Sequence, residues 1–278
     1  MATKKIITKV KESLAEGNEL KEQGKLEESI ESYQKAIKLK PDYYPALSKL
    51  ASIYETQENW EEAEKCYVRQ IGSNPEDAKA YLNLARVLKK QNKNWGAKAA
   101  YQKAVELKED WGGKIYKEAG DALLVEEDLE TEAIALYQKA AANQALSVKG
   151  YYKLGKLLEK KERLDEASGC YEKAVELKPD SSIYYLSLGG VQVKQGKLEE
   201  AVKIYKKAIE VNNQAVGAYE ALGKILKEKG KLDKSLEFYQ KALEFSPDSR
   251  RINRGIGDIL KEQGKESEAQ AYYEKAEV

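Results

Sequence analysis

The chain has 278 residues and contains no histidine, two cysteines, one methionine, two phenylalanines and five prolines. Without a single imidazole, histidine acid–base catalysis is excluded, and a zinc site would have to be built from carboxylates and two scattered thiols. Neither cysteine belongs to a CxxC pair. An excess of one charge is also missing: the formal net charge is +1, which argues against nucleic acid and anionic membranes as main partners. No apolar run approaches membrane-spanning length, and the start Met1-Ala2-Thr3-Lys4-Lys5-Ile6-Ile7-Thr8 lacks the apolar core of a signal peptide. The expectation is a cytoplasmic chain with no metal, no cofactor and no membrane or nucleic-acid partner. No phosphate-cradling glycine loop is present either. Gly255-Ile256-Gly257 looks like the start of a dinucleotide fingerprint, but no strand pattern precedes it.

What the sequence does have is a period. Tyrosine recurs at Tyr33, Tyr67, Tyr101, Tyr137, Tyr171, Tyr205, Tyr239 and Tyr273, every 34 residues except for one step of 36 between Tyr101 and Tyr137. Three residues after each stands alanine, with Gln70 as the exception, and Pro41, Pro75, Pro179 and Pro247 fall in the same frame. Such a period marks a solenoid, in which each unit buries its apolar face against its neighbours. Within Val148–Ser181, Tyr151, Leu154 and Leu158 fall at helical spacing, Leu164 bridges a polar turn, and Ala167, Tyr171, Ala174 and Leu177 repeat the pattern. This predicts two amphipathic helices, the second ended by Pro179. Gly155, Ala167 and Ala174 lie where one helix crosses another, and the tyrosine fills the space between units while its hydroxyl reaches the edge.

At these residues the chain resembles the tetratricopeptide repeat family. A leucine–glycine pair stands in the first helix as Leu154–Gly155, Leu188–Gly189, Leu222–Gly223 and Ile256–Gly257, softened to Glu16–Gly17, Leu50–Ala51, Leu84–Ala85 and Ala119–Gly120. Turn signals recur at Gln23-Gly24-Lys25-Leu26, Gln195-Gly196-Lys197-Leu198 and Lys229-Gly230-Lys231-Leu232. The resemblance implies an all-α, right-handed superhelical solenoid of eight helix–turn–helix units: an N-terminal helix extension over 1–9, units 1–3 over 10–111, an irregular unit 4 over 112–147 and units 5–8 over 148–278. It also implies a non-catalytic scaffold that binds a peptide or protein segment in a concave groove lined by first helices. Glu27-Glu28, Glu61-Glu62 and Glu199-Glu200 open second helices, where carboxylates suit the helix dipole better than they suit acid–base chemistry.

Offsetting from the packing stripe places Lys79, Leu82, Asn83, Arg86, Lys89 and Lys117 in the groove of the first half, with Ser48, Ser52, Glu55 and Asp121. In the second half it places Lys149, Tyr152, Lys153, Lys156, Ile183, Leu186, Gly190, Val193, Lys224, Lys227 and Arg254 there, with Glu159, Glu220 and Asp258. Cations outnumber acids in this stripe, and apolar residues gather around Gly190, whose missing side chain no helix crossing explains. A partner with acidic residues around an apolar anchor would suit it. The carboxylate clamp of chaperone adaptors is incomplete: Asn83 and Lys114 match, but Ser48 and Ser52 replace the first pair and Glu118 stands in the arginine's place. The asparagine ladder of sugar-nucleotide-dependent glycosyltransferases is missing too.

Asp110-Trp111-Gly112-Gly113 adds a residue between units 3 and 4, and Val125-Glu126-Glu127-Asp128 adds another in the fourth unit's turn. A change of curvature is expected there. Ile6, Ile7 and Val10 are expected to extend the first helix and cap that end, while the other end stops soon after Tyr272-Tyr273 with no solvating helix. Three alternatives therefore stand beside the scaffold: self-association through the C-terminal end, a fragment of a larger transferase-type protein, and an engineered repeat scaffold with no native ligand.

Overall fold

The computed structural model describes residues 2–108, 110–124 and 129–277. Among them the chain is helical throughout, in eight consecutive hairpins. The first four pair α1 (Ala2–Glu22) with α2 (Leu26–Leu39), α3 (Tyr44–Thr56) with α4 (Trp60–Ser73), α5 (Ala78–Lys90) with α6 (Asn94–Leu107), and α7 (Gly113–Leu123) with α8 (Glu130–Ala142). The last four pair α9 (Val148–Lys160) with α10 (Leu164–Leu177), α11 (Ser182–Lys194) with α12 (Leu198–Val211), α13 (Val216–Glu228) with α14 (Leu232–Phe245), and α15 (Arg250–Glu262) with α16 (Glu266–Glu277). They fall into two compact units, Met1–Ala145 and Leu146–Val278.

Local chemistry sets the helix ends. Acids occupy the first turn of second helices, as Glu27 and Glu28, Glu61 and Glu62, Asp165 and Glu166, and Glu199 and Glu200, next to the positive end of the dipole. Asp77 caps α5 by accepting from the backbone N–H of Lys79 at 3.0 Å and of Ala80 at 3.1 Å. In the seven hairpins whose turn is described, the chain turns between the two helices through one left-handed residue. Gly24, Gly196, Gly230 and Gly264 supply it at φ between 69° and 77°, whereas Glu58, Asn92 and Glu162 adopt it at φ between 56° and 59°. Each closes a paired C-cap, as where Gly24 N–H donates to Lys21 O (3.0 Å) and Lys25 N–H to Leu20 O (2.9 Å).

The ladder tyrosines are the centre of each hairpin. Tyr33, Tyr101, Tyr137 and Tyr171 are fully buried, and the rings of Tyr33, Tyr137 and Tyr171 lie close against Gly17, Gly120 and Gly155 of their own first helices. A Cβ added at Gly17, Gly155, Gly189 or Gly223 would stand 2.6 Å from a ring carbon of Tyr33, Tyr171, Tyr205 or Tyr239. At these four crossings the approach leaves no room for a Cβ, whereas repeats 2 and 3 place Ala51 and Ala85 at the equivalent position. Neighbouring repeats are also tied along one edge: Gln91 donates to Glu64 (2.8 Å), Gln195 to Asp165 (2.8 Å), Lys229 to Glu199 (2.7 Å) and Gln263 to Asp233 (2.8 Å).

At the irregular junction Trp111 is buried, donates from Nε1 to Ala104 O at 3.0 Å, and receives the Lys108 ammonium 4.7 Å from its ring centroid. Gly113 lies hard against Ala145, leaving no room for a Cβ. The added residues at 125–128 lie outside the described residues. At the start of α1, Val10 is buried, but Ile6 and Ile7 stay 44% and 47% exposed. The expected capping role of that isoleucine pair is thus corrected: the helix is extended as expected, but among the described residues the pair is left partly exposed.

Gln70, which stands in an alanine slot, is buried with its Nε2 unpartnered. An orphaned buried amide costs about 1–3 kcal/mol, so Gln70→Met, which keeps the volume, is expected to raise stability by about 1 kcal/mol in urea unfolding. Conversely, Gly155→Val should destabilise by about 1–3 kcal/mol through overpacking against Tyr171; an unchanged urea midpoint would show that the ring can move aside.

Candidate functional site

First helices of neighbouring repeats touch directly. In the N-terminal unit, Arg86 of α5 donates to Glu118 of α7 at 2.8 Å. In the C-terminal unit, Tyr152 of α9 meets Tyr184 of α11 edge-on at 5.3 Å, and Lys227 of α13 reaches Asp258 (3.8 Å) and Glu262 (3.0 Å) of α15. Within each unit the first helices therefore form one continuous face.

That face contains a second row of groups, which arrives from beneath. Each ladder tyrosine passes its ring under its own first helix and brings its hydroxyl to the outer side. Tyr33 donates to Asn18 (2.8 Å), Tyr171 to Glu159 (2.8 Å) and Tyr273 to Asp258 (3.0 Å), while Tyr67 donates to Glu55 and Tyr137 to Asp121. Tyr101 reaches Glu118 of the following repeat at 3.4 Å. Of the acceptors, Glu55, Asp121, Glu159 and Asp258 are residues of the stripe derived from the sequence, whereas the hydroxyls were not among the candidate residues. The period of the tyrosines was legible, but the depth to which a phenol reaches through a helix pair was not.

Cations and acids are accounted for differently along this face. Glu55, Glu118, Asp121, Glu159, Glu220 and Asp258 are each held by a tyrosine hydroxyl, a cation or both: Lys117 lies 2.8 Å from Asp121, Lys194 lies 3.0 Å from Glu159, and Arg251 pairs with Glu220. Arg86, Lys117 and Lys227 are accordingly committed inside the protein. Lys79, Lys89, Lys149, Lys156, Lys224 and Arg254 meet no carboxylate among the described residues, and five of them are exposed lysines. Lys156 sits 5.7 Å from the centroid of the Tyr152 ring.

The remaining candidates divide by how much packing uses them. Asn83 is half-buried and Lys153 exposed, while Leu82 is buried, so its place in the groove is corrected to the core. Arg86 and Lys89 share a cleft of about 600 Å³ with Glu55, Trp60, Tyr101 and Glu118; Lys79 does not line it. Leu186 and Val193 are half-buried and pack on the core of repeats 6 and 7, Leu186 beside Gly217. Tyr152 is half-buried against Tyr171 and Tyr184. Ile183 remains 48% exposed. At Gly190 an added Cβ would meet only the Tyr205 hydroxyl, at 3.9 Å. Arg254 lines a cleft of about 700 Å³ in repeat 8 with Arg250, Arg251, Asp258 and Tyr273.

The hairpins, with small residues at the crossing and a tyrosine beneath, match a known family over most of the sequence. Models described as TPR repeat match residues 17–58, 191–230 and 223–264, and models described as tetratricopeptide repeat match 46–79, 78–110, 148–181 and 255–277. The chain belongs to the tetratricopeptide repeat family. These ranges step over the irregular fourth repeat. No curated protein matches the sequence. Among solved structures, YrrB, described as a TPR protein with an unusual peptide-binding site, is similar with a TM-score of 0.56 at 28% identity, over 67% of this chain and 95% of YrrB. MamA gives a TM-score of 0.54 at 28% identity, over 59% of this chain and 90% of MamA. The MamA segment from residue 41 to the end, from Desulfovibrio magneticus, gives 0.53 at 18% identity over 60% of this chain and 94% of that one, which shows the shared fold alone. The architecture is an all-α TPR solenoid, and among the described residues no helix is long and apolar enough to cross a membrane.

Burial bears on the phenols and thiols alike. It pushes the Cys66 thiol up to about 12 and the Cys170 thiol up to about 11; both are free, Cys66 buried and Cys170 half-buried, as suits packing rather than redox chemistry. Tyr101, Tyr205 and Tyr239 are pushed up to about 12, first by burial and then by Glu118, Glu159 and Glu220 respectively. Because these values lie above the roughly 10 of an unfolded phenol, their contribution to stability is whole below about pH 10 and is lost as pH rises towards about 12. Thermal melts should therefore fall steeply above about pH 10, and part of the phenolate absorbance at 295 nm should appear only with loss of helix. Complete titration of the tyrosines with the circular dichroism intact would contradict this.

Proposed function

We propose that this chain is a non-catalytic protein-interaction scaffold whose first-helix face binds a segment of a partner protein carrying acidic residues near an apolar one. The observation that carries the reading is the charge inventory of that face. In the C-terminal unit the acids of that face are spent on tyrosine hydroxyls and cations while Lys149, Lys156, Lys224 and Arg254 keep their charge for a ligand, and on the face of the N-terminal unit, taken by itself, Lys79 and Lys89 do the same. A bound acidic segment would meet a field of one sign, which speeds encounter and fixes register. Exposed Ile183 and half-exposed Leu186 and Tyr152 offer apolar contact in the C-terminal unit. Membership of a family of binding solenoids supports the reading, as does likeness to YrrB, whose description names a peptide-binding site. The two unpaired thiols suit the reducing cytoplasm.

The test is fluorescence anisotropy with a capped, labelled peptide of four glutamates around a central leucine, and a glutamine version as control. Wild-type protein should prefer the acidic peptide and lose affinity as salt rises. The combined variant Lys156→Glu, Lys224→Glu, Arg254→Glu should weaken binding at least about tenfold with its circular dichroism unchanged. Equal affinity for both peptides, or indifference to the charge reversal, would remove the proposal.

A further inference from the structure

Tyr205, like Tyr239, departs from the rule of its ladder, and it alone of the two faces a glycine at the position after the crossing residue. Twelve residues before Tyr67 and Tyr171 stand Glu55 and Glu159, which accept those hydroxyls. Twelve residues before Tyr205 stands Val193, which cannot accept, and no described group takes the Tyr205 hydroxyl. Elsewhere the acceptor comes from the position just after the crossing glycine, as Asn18 after Gly17 and Asp258 after Gly257. In repeat 6 that position is Gly190, and the space above the hydroxyl is open, with nothing else within 4 Å of an added Cβ.

The same position in the flanking repeats holds Lys156 on α9 and Lys224 on α13, both exposed and neither paired with a carboxylate. Packed helices lie about 8–10 Å apart, so two flexible lysine side chains can reach over the gap at Gly190 from either side. Glu159 is the nearest acid to raise the Tyr205 phenol, but it already accepts from Tyr171 at 2.8 Å and pairs with Lys194 at 3.0 Å. A phenolic donor below, a lysine on each side and an empty floor are the complement of one carboxylate.

We infer that the recess at Gly190 is a subsite for an acidic side chain of the bound segment, whose carboxylate accepts from the Tyr205 hydroxyl and lies between Lys156 and Lys224. The ligand thereby supplies in trans the acceptor that repeats 1, 2, 4, 5 and 8 carry in cis. This rests on the acidic-partner reading above and fixes where one acid of that partner sits.

The same capped peptide tests it, since its only carboxylates are on side chains. Tyr205→Phe removes one hydrogen bond to a charged group and should weaken binding about tenfold. Gly190→Asn adds no charge, fills the recess and offers Tyr205 the acceptor that Asn18 gives Tyr33; it should weaken binding by a similar factor without lowering Tm. Tyr239→Phe, at the neighbouring ladder position where Lys227 replaces the acid, should leave affinity within about twofold. If Tyr205→Phe and Gly190→Asn bind as wild type while the lysine and arginine reversal abolishes binding, the subsite is overturned and the acidic-partner reading stands. If the wild type does not distinguish the acidic peptide from its glutamine control, that reading fails and takes the subsite with it. Displacement of the peptide by inorganic phosphate at matched ionic strength would overturn the assignment to a carboxylate.

Discussion

Everything in this solenoid hangs on a tyrosine ring lying against a residue with little or no side chain. The contact at Gly155, Gly189 or Gly223 is so close that only the absence of a Cβ permits it. It brings the two helices of a hairpin together, buries the largest side chain of the repeat, and leaves the phenol long enough to emerge on the far side. One interaction thus fixes helix spacing and core packing, and it also delivers a hydroxyl to the surface where a ligand would lie. A phenylalanine could do the first two; the hydroxyl is what ties the core to the first-helix face.

The link runs in both directions. A carboxylate that accepts from a ladder hydroxyl is no longer a free negative charge, so the packing scheme sets the electrostatics of the face. Glu55, Glu159 and Asp258 are drawn inward and satisfied, while lysines with no equivalent donor stay exposed. A sequence with nearly balanced charge therefore presents an unbalanced surface on the side its first helices share.

Much of the fold was legible because it repeats. Eight copies of the same spacing average out the noise of any one helix pattern, and the crossing glycines, the turn glycines and the first-turn acids each announced themselves by recurrence. The site was less legible because function resides in departures from the repeat. The stripe of first-helix residues could be read by offset, but Leu82 in that stripe is buried and Leu186 leans on Gly217, since neighbouring helices cover positions that a single helical wheel leaves open. Which lysines are already paired depends on partners in the next repeat, and no periodicity within one helix reveals that. Ile6 and Ile7 show the same limit at an end, where among the described residues an apolar pair is left partly exposed.

The left-handed turn residues also bear on how the chain assembles. Repeats 6, 7 and 8 all turn through glycine, whereas repeats 2, 3 and 5 force Glu58, Asn92 and Glu162 into the same conformation. An L-residue there costs roughly 1 kcal/mol or more, while glycine adopts it without steric penalty. In a chain where each hairpin contacts only its neighbours, the order of folding follows the cheapest hairpins rather than a single central core. Three relaxed turns in a row make the last repeats the place where a first stable pair of hairpins costs least, and within the C-terminal unit structure would spread from there towards the strained turn at Glu162.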